Sequence, residues 1–173
     1  MLEERVLDLP MREADVAIRM KEPSQADLIR RRLMNIRMCL YATPDYLAKH
    51  GTPQTMSDFS AHRLICQHPG TAQVAAGARL VAELMSHDIP STFTVNNYFG
   101  VLQGVLNHLG IGVLPQYLVH DFPHLVQVLP ECSSDEVPVF LAYPEELRHS
   151  KRVAAFREFV MDEIMTFRKR QDE

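Results

Sequence analysis

The residues with the clearest chemical potential are an amide pair, Asn96-Asn97, placed where a strand-like run gives way to helical spacing. The start of a helix presents backbone N–H groups without intrahelical partners and the positive end of the peptide dipole, which suits a small carboxylate. An asparagine there also serves as a helix cap, and the two roles are compatible. Arg19 ends an apolar run, and its guanidinium can grip a carboxylate as a bidentate fork or pair with a neighbouring acid. Thr43, just before Pro44, offers its hydroxyl either to a ligand or to the helix it precedes. Tyr98 and Phe99 follow the amide pair and suit the wall of a pocket or a core.

Other chemistries find less support. Histidines stand at 50, 62, 68, 87, 108, 120, 124 and 149. Only His120 and His124 have the helical interval of a metal pair, and Pro123 interrupts it, so neither a metal nor another cofactor is expected. There is no serine in a glycine-flanked elbow, no phosphate loop and no clustered carboxylate pair, so the chain does not read as an enzyme. Cys39, Cys66 and Cys132 are odd in number and far apart, as expected of free thiols in a reducing compartment.

The elements that must position these residues follow from periodicity and punctuation. A strand is expected over Ala14–Met20, broken by Pro23 and Ser24, and a second over Ile36–Ala42. Thr43 and Pro44 then open a short helix through Lys49, closed by Gly51. A further short helix over Ser57–His62 precedes a strand over Arg63–His68. Gln73–Ser86 carries Val74, Ala78, Val81, Leu84 and Met85 at helical spacing. A strand over Thr92–Asn96 leads to a helix over Tyr98–His108, with Val101, Leu102, Val105, Leu106 and Leu109 as its apolar stripe. Gly110 to Pro115 returns into a short strand, and strands follow at Leu125–Leu129 and Val137–Tyr143. The last helix starts near Ser150 with Val153, Phe156, Phe159, Val160, Ile164 and Phe167 on one side, and Arg168, Lys169 and Arg170 at its dipole-favoured end. Strands alternating with helices predict an α/β protein with mostly parallel sheets.

Composition agrees with a globular domain. The chain has 173 residues, 46% hydrophobic and 23% charged, with a formal net charge of −4 and a pI near 6.1. An acidic balance argues against nucleic-acid binding by these residues, so no affinity for duplex DNA is expected of this chain alone. No basic-then-apolar leader follows Met1, and no apolar run approaches the roughly 18 residues of a membrane span. A soluble cytoplasmic protein is the expectation.

Four stretches, in this order and spacing, resemble the regulatory domain of LysR-type transcriptional regulators. They are Glu13 to Arg19, Tyr41 to Pro53, Thr94 to Asn97 with the run Val105 to Pro115, and the terminal helix around Val153 to Phe159. The resemblance implies a two-lobe α/β fold like a type 2 periplasmic solute-binding protein. Residues 1–41 with 144–173 would form the first lobe, and 42–143 the second. A small-molecule effector, taken here as a small organic anion, would lie in the cleft between lobes, contacted by Arg19, Thr43, Asn96, Asn97 and Tyr98. A free-standing solute receptor of the same fold is the alternative.

The family also carries a winged helix-turn-helix, through which it contacts DNA, and opens its first lobe with a strand, a helix and a second strand; neither has a counterpart in these residues. Family regulatory domains associate as homodimers or tetramers, with the first helix and second strand of one lobe packed on the helix matching Tyr98–His108. Without those partner elements, the resemblance implies an incomplete first lobe, loss of cover for Phe156, Phe159 and Phe167, and a tendency to self-associate.

Overall fold

The computed structural model describes residues 14–20, 25, 27–68 and 75–171, with the side chains of residues 75, 76, 168, 170 and 171 left undescribed. Pro23, Ser24, Gln73 and Val74, expected to break the first strand and open a helix, lie outside the described residues. In chain order the elements are β1 (Ala17–Arg19), β2 (Leu28–Ile36), β3 (Met38–Ala42), α1 (Pro44–His50), a 3-10 segment (Met56–Ala61), β4 (Arg63–Gln67) and α2 (Ala75–Met85). They continue with β5 (Ser91–Val95), α3 (Tyr98–Leu106), β6 (Ile111–Pro115), α4 (Gln116–Val119), β7 (Val126–Val128), β8 (Val137–Pro144), a 3-10 turn (Glu145–Leu147) and α5 (Lys151–Gln171).

Punctuation residues explain most boundaries. The Thr43 hydroxyl accepts the Tyr46 N–H at 3.3 Å, Pro44 occupies the first helical position, and Gly51 closes α1 at φ 87°, where a β-carbon would be strained. Asn97 caps α3 by accepting the Gly100 N–H at 2.8 Å. At the far end of α3 the Leu109 N–H reaches Gly104 O at 3.1 Å and the His108 N–H reaches Val105 O at 2.9 Å. This double closure places His108 in the left-handed region at φ 58°, an uncommon backbone for a residue other than glycine.

The chain divides into two compact units, one over Ile36–Glu136 and one made of the described residues 14–35 together with those from Val137 onward. The crossings therefore fall before β3 and before β8, earlier than the 41/42 and 143/144 boundaries implied by the resemblance. The reason is pairing: β3 bonds to β6 and β7, while β8 bonds to β1.

The Ile36–Glu136 unit holds a five-stranded sheet in the order β5-β4-β6-β3-β7. β4 runs parallel to β5 and β6, but β3 runs antiparallel to β6 and β7. The expectation of mostly parallel sheets is thus corrected to a mixed sheet. β3 enters from the other unit without a helical crossover, so the connection that enforces parallel pairing is absent there. α3 packs on the sheet through Val101, Leu102 and Val105, in one cluster with Cys39, Tyr41, Ile65 and Leu114. Leu109, placed on that stripe by spacing, is 41% exposed because it lies beyond the helix end.

Two glycines allow the close approach. A β-carbon on Gly110 would lie 2.4 Å from Arg63 O, and one on Gly112 would lie 2.3 Å from Val105 Cγ2. The two ends of the unit are also fastened together. The Met38 N–H donates to Ser134 Oγ at 3.0 Å, the Ser134 N–H donates to Met38 O at 2.9 Å, and Arg37 lies 3.3 Å from Glu136.

The other unit carries a three-stranded sheet in the order β1-β8-β2, with Leu28 and Ala142 buried against Ala14 and Ala17. β2 has no sequence forecast; its interior triplet Arg30-Arg31-Arg32 masks it, with the buried positions left to Leu28, Leu33 and Ile36. On α5, Val153 and Val160 are buried, whereas Phe156 and Phe159 are 41% and 60% exposed. Among the described residues no helix is long and apolar enough to cross a membrane.

Candidate functional site

β4 and β5 are parallel neighbours, so their carboxyl ends lie together, with Gln67 opposite Val95. The chain leaves β4 for β5 on one side and returns through α3 to β6 on the other. That reversal creates the kind of crevice at strand ends where open α/β sheets hold ligands. Asn96, Asn97 and Tyr98 stand at this point. The Gln67 Nε2–H donates to Asn96 O at 3.1 Å, and Asn97 Nδ2–H donates to Asn96 Oδ1 at 2.8 Å. Asn97 spends its oxygen on the cap and one amide hydrogen on Asn96, so the anion-attracting groups left are its second amide hydrogen, backbone N–H groups of the first turn and the helix dipole.

Gln67 belongs to this rim, although sequence reasoning passed over it. Its signal was present: a polar residue ending the apolar run Leu64-Ile65-Cys66 and buried with it at 4% exposure. Gly77 on α2 lets Tyr98 approach, because a β-carbon there would meet the Tyr98 hydroxyl at 3.5 Å and Met38 Cγ at 3.2 Å. The space bounded by Gln67, Gly77, Ala78, Val81, Tyr98 and Val113 is only 10 Å³, room for about one water. Within this unit the amide pair therefore forms an open polar rim.

The structure does not bring Thr43 to that rim. Thr43 follows β3, whose Tyr41 is level with Gly112, at the sheet end away from Gln67 and Val95. α3 measures the separation: Asn97 caps its start, while His108 beyond its end meets the Thr43 hydroxyl at 2.7 Å. At 1.5 Å rise per residue the two ends lie roughly 16 Å apart. Asp45 Oδ2 lies 3.6 Å from His108 Nε2, and the Thr43 hydroxyl can donate to Nδ1 in the tautomer that carries its proton on Nε2. Thr43, 2% exposed, is a cap and a histidine anchor. Thr43→Val should lower stability by about 1–2 kcal/mol, the usual cost of a lost cap, measured as a shift in the denaturant midpoint. It should leave any effector response intact.

Arg19 ends β1 opposite Phe140 and is partly buried in the other unit. Phe99 is 59% exposed and packs no core. Among the described residues, no three His, Cys, Asp or Glu side chains converge as metal ligands. Cys39 and Cys66 are buried free thiols; desolvation raises both, Cys66 to about 11, which keeps them protonated and poorly nucleophilic at neutral pH.

Residues 2–164 match the family model described as the LysR substrate binding domain. The chain belongs to the LysR family. It is 30% identical over 166 residues to the HTH-type transcriptional regulator CrgA of Neisseria meningitidis serogroup C, covering 93% of this chain and 55% of that protein. It is 33% identical over 133 residues to a probable HTH-type transcriptional regulator, LtrA, of Klebsiella pneumoniae, covering 75% of this chain and 43% of the other. The solved regulatory domain of CrgA superimposes with a TM-score of 0.73 at 27% identity, over 90% of this chain and 78% of that one. The LysR chain in hand thus spans about half the length of the curated relatives it matches, and corresponds to their regulatory domain of type 2 periplasmic-binding-like fold.

Proposed function

We propose that this LysR regulatory domain senses a small organic anion in its inter-lobe cleft, with Asn96, Asn97 and Tyr98 forming the rim contributed by the Ile36–Glu136 unit. Arg19 is the charged partner proposed from the other unit. The single observation that carries this reading is the Asn97-capped start of α3 at the carboxyl ends of β4 and β5. Occupancy acts by favouring one arrangement of lobes and of self-association over another. Contact with DNA then falls to a helix-turn-helix of the kind named in the relatives. That the relatives it matches are regulators supports this reading over a free-standing solute receptor.

A thermal-shift screen of the chain against small carboxylates and aromatic acids tests it. A true effector at roughly 100 times its Kd should stabilise by about 2.7 kcal/mol. Asn97→Ser, which keeps a cap, and Tyr98→Ala should both reduce that response. The proposal fails if no organic anion produces a saturable shift, or if the shift is indifferent to Asn96, Asn97, Tyr98 and Arg19.

A further inference from the structure

At the opposite end of the Ile36–Glu136 unit from the amide rim lies a second, larger cavity of 360 Å³, whose wall includes Lys49, His50, His62, Arg63, Ser91 and His108. It combines two permanent cations, three imidazoles and a hydroxyl, with no acidic side chain in the wall, on a chain whose net charge is −4. Two acids act on wall histidines from outside the cavity, Asp45 on His108 and Asp58 on His62. Asp45 faces the Nε2 edge of His108 at 3.6 Å and is 81% exposed. The Asp58 carboxylate accepts the Gln54 and Thr55 backbone N–H groups at 2.8 and 2.9 Å. Among the described residues, neither Lys49 nor Arg63 has a carboxylate partner within 4.0 Å.

The imidazoles are held by a built network. The Tyr46 hydroxyl accepts the Arg63 backbone N–H at 3.1 Å and lies 3.3 Å from His62 Nδ1, to which it can donate its own proton. The neutral His62 ring then carries its hydrogen on Nε2 as a donor. His62 and Tyr46 are each 4% exposed. His50 stacks on the Tyr46 ring at a centroid distance of 4.5 Å. His108 is gripped through Thr43 at 2.7 Å and holds a left-handed backbone; such strain persists where the surroundings over-determine it.

We propose that this cavity is an anion site, separate from the effector rim, for a small multiply charged oxyanion of the phosphate class. An arginine, a lysine, a serine and the His62 imidazole, arriving from different elements, supply charged and neutral donors that suit an oxyanion with acceptors on several sides. A cleft lined by charge of one sign raises the local concentration of such an anion.

Inorganic phosphate is the probe, titrated into the intact chain at constant ionic strength, with chloride as the matched control and citrate as the polycarboxylate arm. The readout is the imidazole NMR signals of His50, His62 and His108. Phosphate should shift these three signals saturably and at lower concentration than citrate, while chloride does not. Lys49→Gln with Arg63→Gln should weaken binding at least tenfold, the order expected for losing charge-assisted hydrogen bonds. Arg63→Lys, which keeps the charge but loses the fork, should weaken it less and serves as the second variant if the double variant misfolds. Asn97→Ser should leave phosphate affinity unchanged, which keeps this site distinguishable from the effector rim. The proposal is overturned if phosphate gives no saturation beyond chloride, whether or not citrate does, if the shifts fall elsewhere, or if the charge variants bind as tightly as the parent.

Discussion

Gly110→Ala is expected to lower the melting temperature by roughly 5–10 °C, as overpacking costs about 1–3 kcal/mol and more where backbone must move. The added carbon would lie 2.4 Å from Arg63 O and 3.1 Å from Arg63 C. Neither atom can turn aside as a side chain can, because Arg63 opens β4, a strand paired on both edges. Gly77→Ala is the matched control. Its new methyl meets Met38 Cγ at 3.2 Å, part of a flexible side chain that can give way, and it gains helix propensity on α2. Differential scanning calorimetry should separate the two. Equal melting temperatures would show that β4 yields at Arg63 and that the glycine is dispensable.

Phe59→Ala should cost about 3–5 kcal/mol, the range for deleting a fully buried aromatic. Phe59 is 0% exposed and pins the 3-10 segment between α1 and β4. Its carbonyl accepts the His62 N–H at 3.0 Å, and its ring meets His62 edge-on at 6.1 Å. The loss should therefore appear in hydrogen exchange over residues 54–67 before it appears in α3. Phe99→Ala, at a residue 59% exposed, should change stability by no more than about 0.5 kcal/mol. A Phe59 variant as stable as the Phe99 variant would mean that the segment closes over the gap without strain.

The features legible in the amino-acid order are those decided locally. Thr43-Pro44 with Gly51 delimits α1, Asn97 caps α3, and Gly110 with Gly112 forms the tight return into β6, because each depends on residues within one turn. What the order conceals is set by partners far along the chain. β2 is hidden because Arg30, Arg31 and Arg32 break the apolar alternation of a strand whose buried contacts fall at Leu28, Leu33 and Ile36. The direction of β3 depends on pairing with β6, more than 70 residues later, so parallel packing was the natural but incorrect expectation. The same pairing carries Thr43 to His108 rather than to the amide pair. His50, His62 and His108 read as scattered when only metal-ligand intervals are considered, yet the fold gathers them around one cavity.

The clasp between Met38 and Ser134 bears on how the molecule assembles. Among the described residues the first unit is the single stretch Ile36–Glu136, a span of 101 residues (136 − 36 + 1), whereas its companion is built from two stretches separated by all of it. β2 and β8 are neighbours in one sheet, so in an unfolded chain their meeting requires closing a loop of that length, an entropic cost of roughly 4 kcal/mol. Once the continuous unit has folded, its two ends already lie side by side and most of that cost has been met. Loop-closure entropy thereby favours an order in which the inserted unit folds first and the split unit condenses on the two strands it delivers.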